Sequence, residues 1–157
     1  MTQIRAANGN HIPDIQRLRA QMDAEHVAAL PWLFRDDQGA RVGPEYWASV
    51  LANPDDALLI ADTSSGVIGY ALLRLRNTPD LSYVVPRRLA VVEDIVVDRD
   101  FRRRGVAALL LAECEREARD RGATSVELQV WEHNQAALEL YAHFGFGCLQ
   151  RRLSKPL

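Results

Sequence analysis

The chain has 157 residues, of which 48% are hydrophobic and 25% are charged. These values are typical of one globular domain, spanning residues 1–157, that buries a core without disulfides or structural metals. The formal net charge of -2 argues against a nucleic-acid-binding or membrane-binding protein, because both partners favour strongly basic surfaces. Two cysteines are too few for a disulfide framework. The sequence also lacks a signal-like N-terminus and a membrane-length apolar run, so we expect a cytoplasmic protein.

The first half of the chain predicts a short strand, two helices and a hairpin. Apolar residues recur at near-helical spacing from Ile12 to Met22, and Pro13 suits the first turn of a helix. A cluster of turn residues at 63–66 separates two β-like apolar runs. We therefore expect a strand over residues 3–6, helices over 13–29 and 44–51, and strands over 57–62 and 67–75, with an irregular segment over 31–44.

The second half predicts strands that alternate with helices. Residues 88–97 form the most strand-like apolar run, which indicates a strand covered on both faces. An apolar stripe from Ala107 to Ala118 predicts an amphipathic helix over about 105–121. A strand over 124–130, a helix over 134–143 and a last strand through the tail complete the prediction. The strand–helix–strand unit from 88 to 130 should be parallel.

A stretch rich in arginine lies between the apolar strand and the amphipathic helix, and it reads Arg102-Arg103-Arg104-Gly105-Val106-Ala107. A helix N-terminus binds anions, because its first N–H groups lack acceptors and its dipole is positive there. Gly105 and Ala107 leave room for a phosphate, and arginines add charged donors. The pattern predicts a pyrophosphate site, although a solvated arginine turn that caps a helix also fits. Neither the P-loop pattern nor the dinucleotide-binding glycine pattern is present.

The spacing Arg102-x-x-Gly105-x-Ala107 resembles the Q/R-x-x-G-x-G/A signature of the GNAT N-acetyltransferase superfamily. Further segments resemble that family in the same order along the chain. They are Ile4-Arg5-Ala6-Ala7, Gly69-Tyr70, Glu93-Asp94-Ile95-Val96-Val97, Asn134-x-x-Ala137-x-x-Leu140-Tyr141 and Phe144-Gly145-Phe146. The ordered set is more specific than the short signature alone.

The resemblance implies an α/β fold with α+β-type layering. Its sheet would be mixed, largely antiparallel and twisted, of the seven-strand type, with a parallel central strand pair and helices on both faces. The fourth and fifth strands would splay apart, and acetyl-CoA would bind in the slot between them. Asn134 would contact the cofactor, act as a helix N-cap, or do both. The implied cofactor-binding residues are Ile95, Val96 and Val97 for the pantetheine arm, Arg102, Arg103, Arg104, Gly105, Val106, Ala107 and Ala108 for the pyrophosphate loop, and Asn134 and Tyr141.

Two residues are candidates for the chemistry of amide formation, which needs a base for the amine and a donor for the leaving thiolate. Glu93 is the candidate base, because it is an acidic residue in an apolar strand and alternation places it on the face of Ile95 and Val97. Family members use a glutamate at the matching place. A carboxylate paired with an arginine at the sheet edge is the alternative. Tyr141 is the candidate general acid or hydrogen-bond donor to the sulfur, and a packing aromatic is its alternative. Asp94 should be structural.

No covalent nucleophile and no metal site are expected. Direct acetyl transfer requires no covalent enzyme intermediate, and Cys114 falls in the apolar stripe of the predicted helix. The histidines are not spaced as metal ligands.

The resemblance implies that the acceptor binds to two segments, residues 26–46 and 76–88. Aromatic residues there are interleaved with acids such as Asp36 and Asp37, which suits an amine that carries positive charge. Ordinary packing is the alternative, and Arg87 and Arg88 favour an acceptor with a carboxylate instead. The candidate acceptor residues are His26, Trp32, Phe34 and Tyr83.

These features together predict an acetyl-CoA-dependent N-acetyltransferase that transfers an acetyl group directly to a primary amine. The amine would be a small molecule such as a polyamine, an aminoglycoside or an amino acid, or a peptide amine. The alternative is a non-catalytic acyl-CoA-binding sensor or regulatory module on the same fold. We expect coenzyme A as product, no metal, and no nucleic-acid or membrane partner. Only residues 147–157 follow Phe146, so a homodimer in which an exchanged or paired C-terminal strand completes the sheet is a further hypothesis.

Overall fold

The computed structural model describes residues 1–36 and 42–157, so part of the predicted irregular segment, including Asp37, lies outside the described residues. The helices and strands follow the predicted order. They are β1 (Gln3–Ala6), α1 (Ile12–Ala29), α2 (Pro44–Ala52), β2 (Asp56–Thr63), β3 (Gly66–Asn77), β4 (Arg88–Val97), α3 (Val106–Asp120), β5 (Ser125–Leu128) and α4 (Gln135–His143). No described helix is long and apolar enough to cross a membrane.

The five strands form one sheet in which they lie side by side in chain order. Neighbouring strands are antiparallel except β4 and β5, which run parallel and are joined through α3. Helices α1 and α2 pack on one face, and α3 and α4 pack on the other. The expected mixed, largely antiparallel sheet with helices on both faces is confirmed.

Both faces of the central strands are buried, which explains their continuous apolar runs. On β2, Leu58 and Ile60 pack in the cluster that α1 and α2 cover. Leu59 and Ala61 of the same strand pack in the cluster that α3 covers. Trp47 of α2 is fully buried on the first of these faces. The two helical layers are therefore fixed to the sheet by separate apolar clusters.

The C-terminal tail differs from the prediction. Residues 147–157 are exposed and belong to no strand, so the predicted last strand is wrong. The described sheet has five strands rather than the seven-strand type, and its parallel pair lies at an edge rather than at the centre. The physical reason is the tail's composition: Arg151, Arg152 and Lys155 favour solvent, and Pro156 has no N–H to donate to a strand ladder.

Gly69 on β3 marks a close approach between the sheet and α3. A Cβ atom at this position would lie 2.8 Å from the carbonyl oxygen of Val96 and 3.3 Å from Cδ1 of Leu110. Backbone cannot yield cheaply, so we expect Gly69→Ala to lower the free energy of unfolding by about 1–3 kcal/mol. Urea denaturation measures this change. Gly147→Ala is the control, because its Cβ would meet no atom within 4 Å. Equal stability of the two variants would contradict the close approach.

Candidate active site

The parallel ladder between β4 and β5 stops halfway along β4. Its pairs run from Leu89 with Ser125 to Val92 with Leu128, where β5 ends. β4 continues to Val97 while still paired with β3 on its other side. Residues 93–97 therefore have no partner strand on the β5 side within the described part of the chain. The result is a slot along the free edge of β4.

The main-chain groups of Ile95 and Val97 face this slot. Asp98 donates its N–H to the carbonyl oxygen of Ile68 on β3, at 2.8 Å. Because successive residues of a strand turn their main-chain groups to opposite edges, those of Val97 and Ile95 turn away from β3. The Val97 carbonyl already accepts a hydrogen bond from Nε of Arg102, at 3.1 Å. The side chain of Val96 is buried in the core under α1 and α2.

A β-bulge at Glu93 lies where the slot begins. Leu72 is opposite Asp94 and Leu73 is opposite Val92, so Glu93 is the extra residue of β4. A bulge interrupts strand alternation, and the expectation that Glu93 shares a face with Ile95 and Val97 is therefore wrong.

The Glu93 carboxylate contacts the guanidinium of Arg76 on β3. Leu75, the neighbour of Arg76, is buried in the cluster under α3, so Arg76 turns to the opposite face. Glu93 accordingly reaches toward the face of α1 and α2, with its side chain 34% exposed. The arginine-paired alternative describes the contact observed here, and it leaves a third of the carboxylate side chain open at the inner end of the slot.

Asp94 fixes α1 to β4 from the same face. Its Oδ2 accepts hydrogen bonds from Nη1 of Arg19, at 2.8 Å, and from the hydroxyl of Tyr70, at 3.2 Å. Burial, and then the charge of Asp94, raise the pKa of Tyr70 well above its ordinary value, so its hydroxyl stays a donor. These contacts support the structural role expected for Asp94.

A stripe of α1 holds the loop that follows β4. Arg17, Gln21 and Glu25 are spaced four residues apart and so share one helix face. Arg17 forms an ion pair with the buried Asp98, and Gln21 donates to the same carboxylate at 3.4 Å. Glu25 accepts a hydrogen bond from Arg102 at 2.7 Å. The beginning and the middle of the loop are therefore both tied to α1.

The start of α3 has the features of an anion site. Gly105 has the left-handed φ of 79° and precedes the first helical residue, and none of the described side chains caps the first turn. The first N–H groups of this helix therefore lack intrahelical acceptors. Arg103 also has a positive φ, of 61°, and is exposed. Arg104 lies over the ring of Phe101, whereas Arg102 is engaged by Glu25 as above. Of the three arginines, Arg103 has the guanidinium with the fewest contacts to other described residues.

Helix α4 contributes Asn134 and Tyr141 on the α3 side of the sheet. Asn134 is the N-cap, because its Oδ1 accepts the N–H of Ala137 at 3.2 Å. Tyr141 is buried in the same cluster as Val92 and Cys114. Burial, with a smaller effect of Cys114, raises the pKa of Tyr141 to about 12. Tyr141 and Glu93 therefore lie on opposite faces of the sheet.

An aromatic cluster forms beside α1 from two predicted acceptor residues and one that was not predicted. The rings of His26 and Phe34 stack with centroids 5.4 Å apart. Trp131, which follows β5, lies edge-on to Phe34 at 5.4 Å and to His26 at 6.3 Å. Burial, together with the charges of Arg19 and His133, lowers the pKa of His26 despite the opposing charge of Asp23.

The other two acceptor candidates lie outside this aromatic cluster. Trp32 is 70% exposed and takes part in none of the ring contacts among the described residues. Tyr83 is 83% exposed in the connection that precedes β4, at the opposite end of that strand from Val97. The structure therefore brings His26 and Phe34 together and leaves Trp32 and Tyr83 apart from them.

Sequence reasoning missed two groups of residues that shape the site. The position of Trp131 could have indicated a role in the site. It comes just after the second strand of the parallel unit, and the ends of parallel strands lie at the same edge of a sheet. The spacing of Arg17, Gln21 and Glu25 could also have been used, since charged or polar residues four apart share one face of a helix.

An α/β sheet in which the free edge of β4 leads to a helix N-terminus that no described side chain caps is the arrangement found here. Residues 20–146 match the model of the family described as the acetyltransferase (GNAT) family. The chain belongs to that family, which confirms the class expected from its motifs, a GNAT-type N-acetyltransferase.

Two curated relatives carry the same class name. The uncharacterized N-acetyltransferase YhfO of Bacillus subtilis is 30% identical over 71% of this chain and 70% of its own length. The uncharacterized N-acetyltransferase MJ1207 of Methanocaldococcus jannaschii is 28% identical over 64% of this chain. The match to MJ1207 spans 43% of that protein, well under half of its length.

Solved structures share the fold. A mutant of the BH1408 protein from Bacillus halodurans superposes with a TM-score of 0.93 at 22% identity, over 99% of each chain. The aminoglycoside N-acetyltransferase AAC(6')-Iy, in complex with CoA, superposes with a TM-score of 0.75 at 22% identity, over 100% of this chain and 95% of its own. At these identities the likeness concerns the fold.

The ion pair of Arg17 and Asp98 predicts a pH-dependent stability. Burial alone would raise the pKa of Asp98, but hydrogen bonds from Arg17 and the Asp100 N–H hold it below its ordinary value. We expect Asp98→Asn to lower the free energy of unfolding at neutral pH by about 1–3 kcal/mol. Because folding lowers this pKa, the contribution exists above the ordinary pKa of about 3.9 and is lost as pH falls through the folded value.

The measurement is urea denaturation of both proteins from neutral pH down to about pH 3, where the difference should shrink below about pH 4. Asp100→Asn is the matched control, since this exposed carboxylate lies in the same loop and forms no ion pair with a described residue. A difference that does not change with pH, or an equal loss in the control, would argue against the ion pair.

Proposed function

We propose that the protein is a cytoplasmic acetyl-CoA-dependent N-acetyltransferase that transfers an acetyl group directly to a primary amine. The observation that carries this proposal is the continuity between the free edge of β4 and the uncapped start of α3. An extended chain can pair with the strand edge while the pyrophosphate at its end meets the helix N-terminus. Among the structural neighbours, AAC(6')-Iy is a complex with CoA and is also known with a CoA-linked acetylneamine analogue.

The residues around the slot suit acetyl-CoA, which supplies the thioester when bound. Ile95 and Val97 offer main-chain groups to the pantetheine arm, and the buried side chain of Val96 holds that edge in place. The N–H groups from Arg103 to Ala108 offer donors to the pyrophosphate, with the exposed Arg103 adding charge. In this proposal Arg102 acts indirectly, because its guanidinium ties the loop to α1 and to the Val97 carbonyl.

Glu93 is the proposed base. The bulge places it at the inner end of the slot, with a third of its side chain exposed beside Arg76. In the transfer, a bond forms between the amine nitrogen and the acetyl carbon as the carbon–sulfur bond breaks. The proton lost by the amine goes to Glu93, directly or through water, and the electron pair of the broken bond stays on sulfur. The N–H of Val97 is the proposed donor to the acetyl oxygen.

Tyr141 is the proposed donor to the leaving sulfur. Its pKa of about 12 lies above that of a thiol, about 8.5, so full proton transfer to the thiolate would be uphill. The hydroxyl stays protonated at neutral pH and stabilises charge on sulfur by a hydrogen bond. A non-catalytic acyl-CoA sensor would need neither residue, and the presence of both Glu93 and Tyr141 favours the enzyme.

The base assignment predicts the behaviour of Glu93→Gln. This variant keeps the size of the side chain and a contact to Arg76 but loses the proton acceptor. We expect kcat to fall about a hundredfold, while the KM for acetyl-CoA and the rise of Tm with acetyl-CoA stay as in the wild type. Thiol release and thermal denaturation measure these quantities.

The matched control is Glu127→Gln on β5. Glu127 also pairs with an arginine, Arg87 at 3.3 Å, and its side chain is 32% exposed, close to the 34% of Glu93. We expect this control to keep its kcat. An unchanged kcat in Glu93→Gln would remove Glu93 from the base role, and no thermal shift with acetyl-CoA would overturn the proposal as a whole.

A homodimer completed by C-terminal segments is proposed as well. β5 is an edge strand of the described sheet, and the tail presents exposed leucines at positions 149, 153 and 157. Such an edge invites pairing with a second copy of the chain. Size-exclusion chromatography with light scattering should give a dimer mass, which shortening of the tail after Gly147 should reduce to a monomer mass. A monomer mass for the full chain would contradict the proposal.

A further inference from the structure

The cluster of His26, Phe34 and Trp131 joins α1 to the segment that follows β5. Asp94 of β4 holds Arg19, and His26 follows Arg19 by seven residues, which is two turns along the same face of α1. Trp131 lies three residues beyond the end of β5, on the diverging side of the ladder. The three rings therefore connect α1 with the chain that leaves β5. Trp131 is 41% exposed, so part of the cluster is open to a ligand.

The carboxylates that border the slot are neutralised by arginines. Each of four acids on β4, on the loop after it and on α1 forms an ion pair with an arginine. These pairs are Glu93 with Arg76, Asp94 with Arg19, Asp98 with Arg17, and Glu25 with Arg102. Glu132, next to Trp131, is an exposed single carboxylate that pairs with no described arginine. Asp23 shares Arg19 with Asp94, so it and Glu132 leave only a small surplus of negative charge with which to attract a polycation.

We propose that the acceptor is a monoamine attached to an aromatic or apolar group, and that His26, Phe34 and Trp131 form the platform for that group. This inference rests on the proposed acetyl transfer and narrows its acceptor. Ring faces and edges bind an aromatic or apolar body, whereas a polyamine or an aminoglycoside needs several unpaired acids. The lowered pKa of His26 fits this platform, because the imidazole is uncharged at neutral pH.

A thiol-release assay with a matched panel of amines tests the acceptor class. The panel holds 2-phenylethylamine, ethylamine as its ring-free counterpart, spermidine and an aminoglycoside. We expect kcat/KM for 2-phenylethylamine to exceed that for ethylamine about ten- to a hundredfold, and to exceed those for both polycations. Its KM should change less than about twofold when salt rises from about 0.05 M to 0.5 M. Preference for a polycation, or equal rates with and without the ring, would overturn the inference.

Variants of Trp131 test the platform. Trp131→Ala should raise the KM for 2-phenylethylamine about five- to tenfold and leave that for ethylamine unchanged, and Trp131→Phe should restore most of the loss. Arg119→Ala, a truncation of a side chain that is 71% exposed near the end of α3, should change neither value. An unchanged KM for 2-phenylethylamine in Trp131→Ala would overturn the platform.

Binding separates this inference from the proposed function. Saturation-transfer NMR with 2-phenylethylamine reports contact with the protein without any turnover. If no amine releases thiol, the proposed function fails. In that case, saturation-transfer signals from the phenyl ring of 2-phenylethylamine that Trp131→Ala abolishes and Trp131→Phe retains still support the platform. Absence of these signals in the wild type overturns it.

Discussion

The site depends on one constraint, which is that the hydrogen-bonded ladder between β4 and β5 stops at Val92 and Leu128. Pairing that continued along residues 93–97 would close the edge of β4 and leave no slot. The bulge at Glu93 lies directly after this last pair and turns the following residues of β4 by one position. The bulge therefore sets the orientation of the proposed base at the point where the free edge of β4 begins.

The half of β4 beyond the ladder has no strand beside it on the β5 side within the described residues, and charged side chains of α1 hold this part of the chain instead. Arg19 bonds Asp94, and Arg17 bonds Asp98, both from α1. These contacts hold the unpaired half of β4 and the following loop against the helix, where a neighbouring strand would otherwise do so. They also neutralise the carboxylates near the slot, so the same bonds that stabilise the fold limit the charge available to a substrate.

The sequence predicted those parts of the fold and site that are specified locally. The anion site before α3 is local, because Gly105, the arginines and the apolar stripe of the helix lie within one short segment. The bulge at Glu93 could not be predicted from alternation, since alternation assumes the regular pairing that a bulge breaks. The aromatic cluster joins residues 26, 34 and 131, and nothing in their separate neighbourhoods indicates that they meet. The strand predicted through the tail was wrong, because its arginines, lysine and proline disfavour a strand.

Helix α1 links the two halves of the proposed site. Its residue Glu25 holds Arg102 of the anion loop, and the next residue, His26, begins the aromatic cluster. A helix turn is rigid on the scale of a side chain. The loop that would carry the pyrophosphate and the platform that would carry the acceptor therefore keep a fixed position relative to each other. In the proposed function, this arrangement would let a single helix position the donor and the acceptor together. A substitution that tilts α1 should therefore disturb both sites together, whereas one at Trp131 should disturb the acceptor side alone.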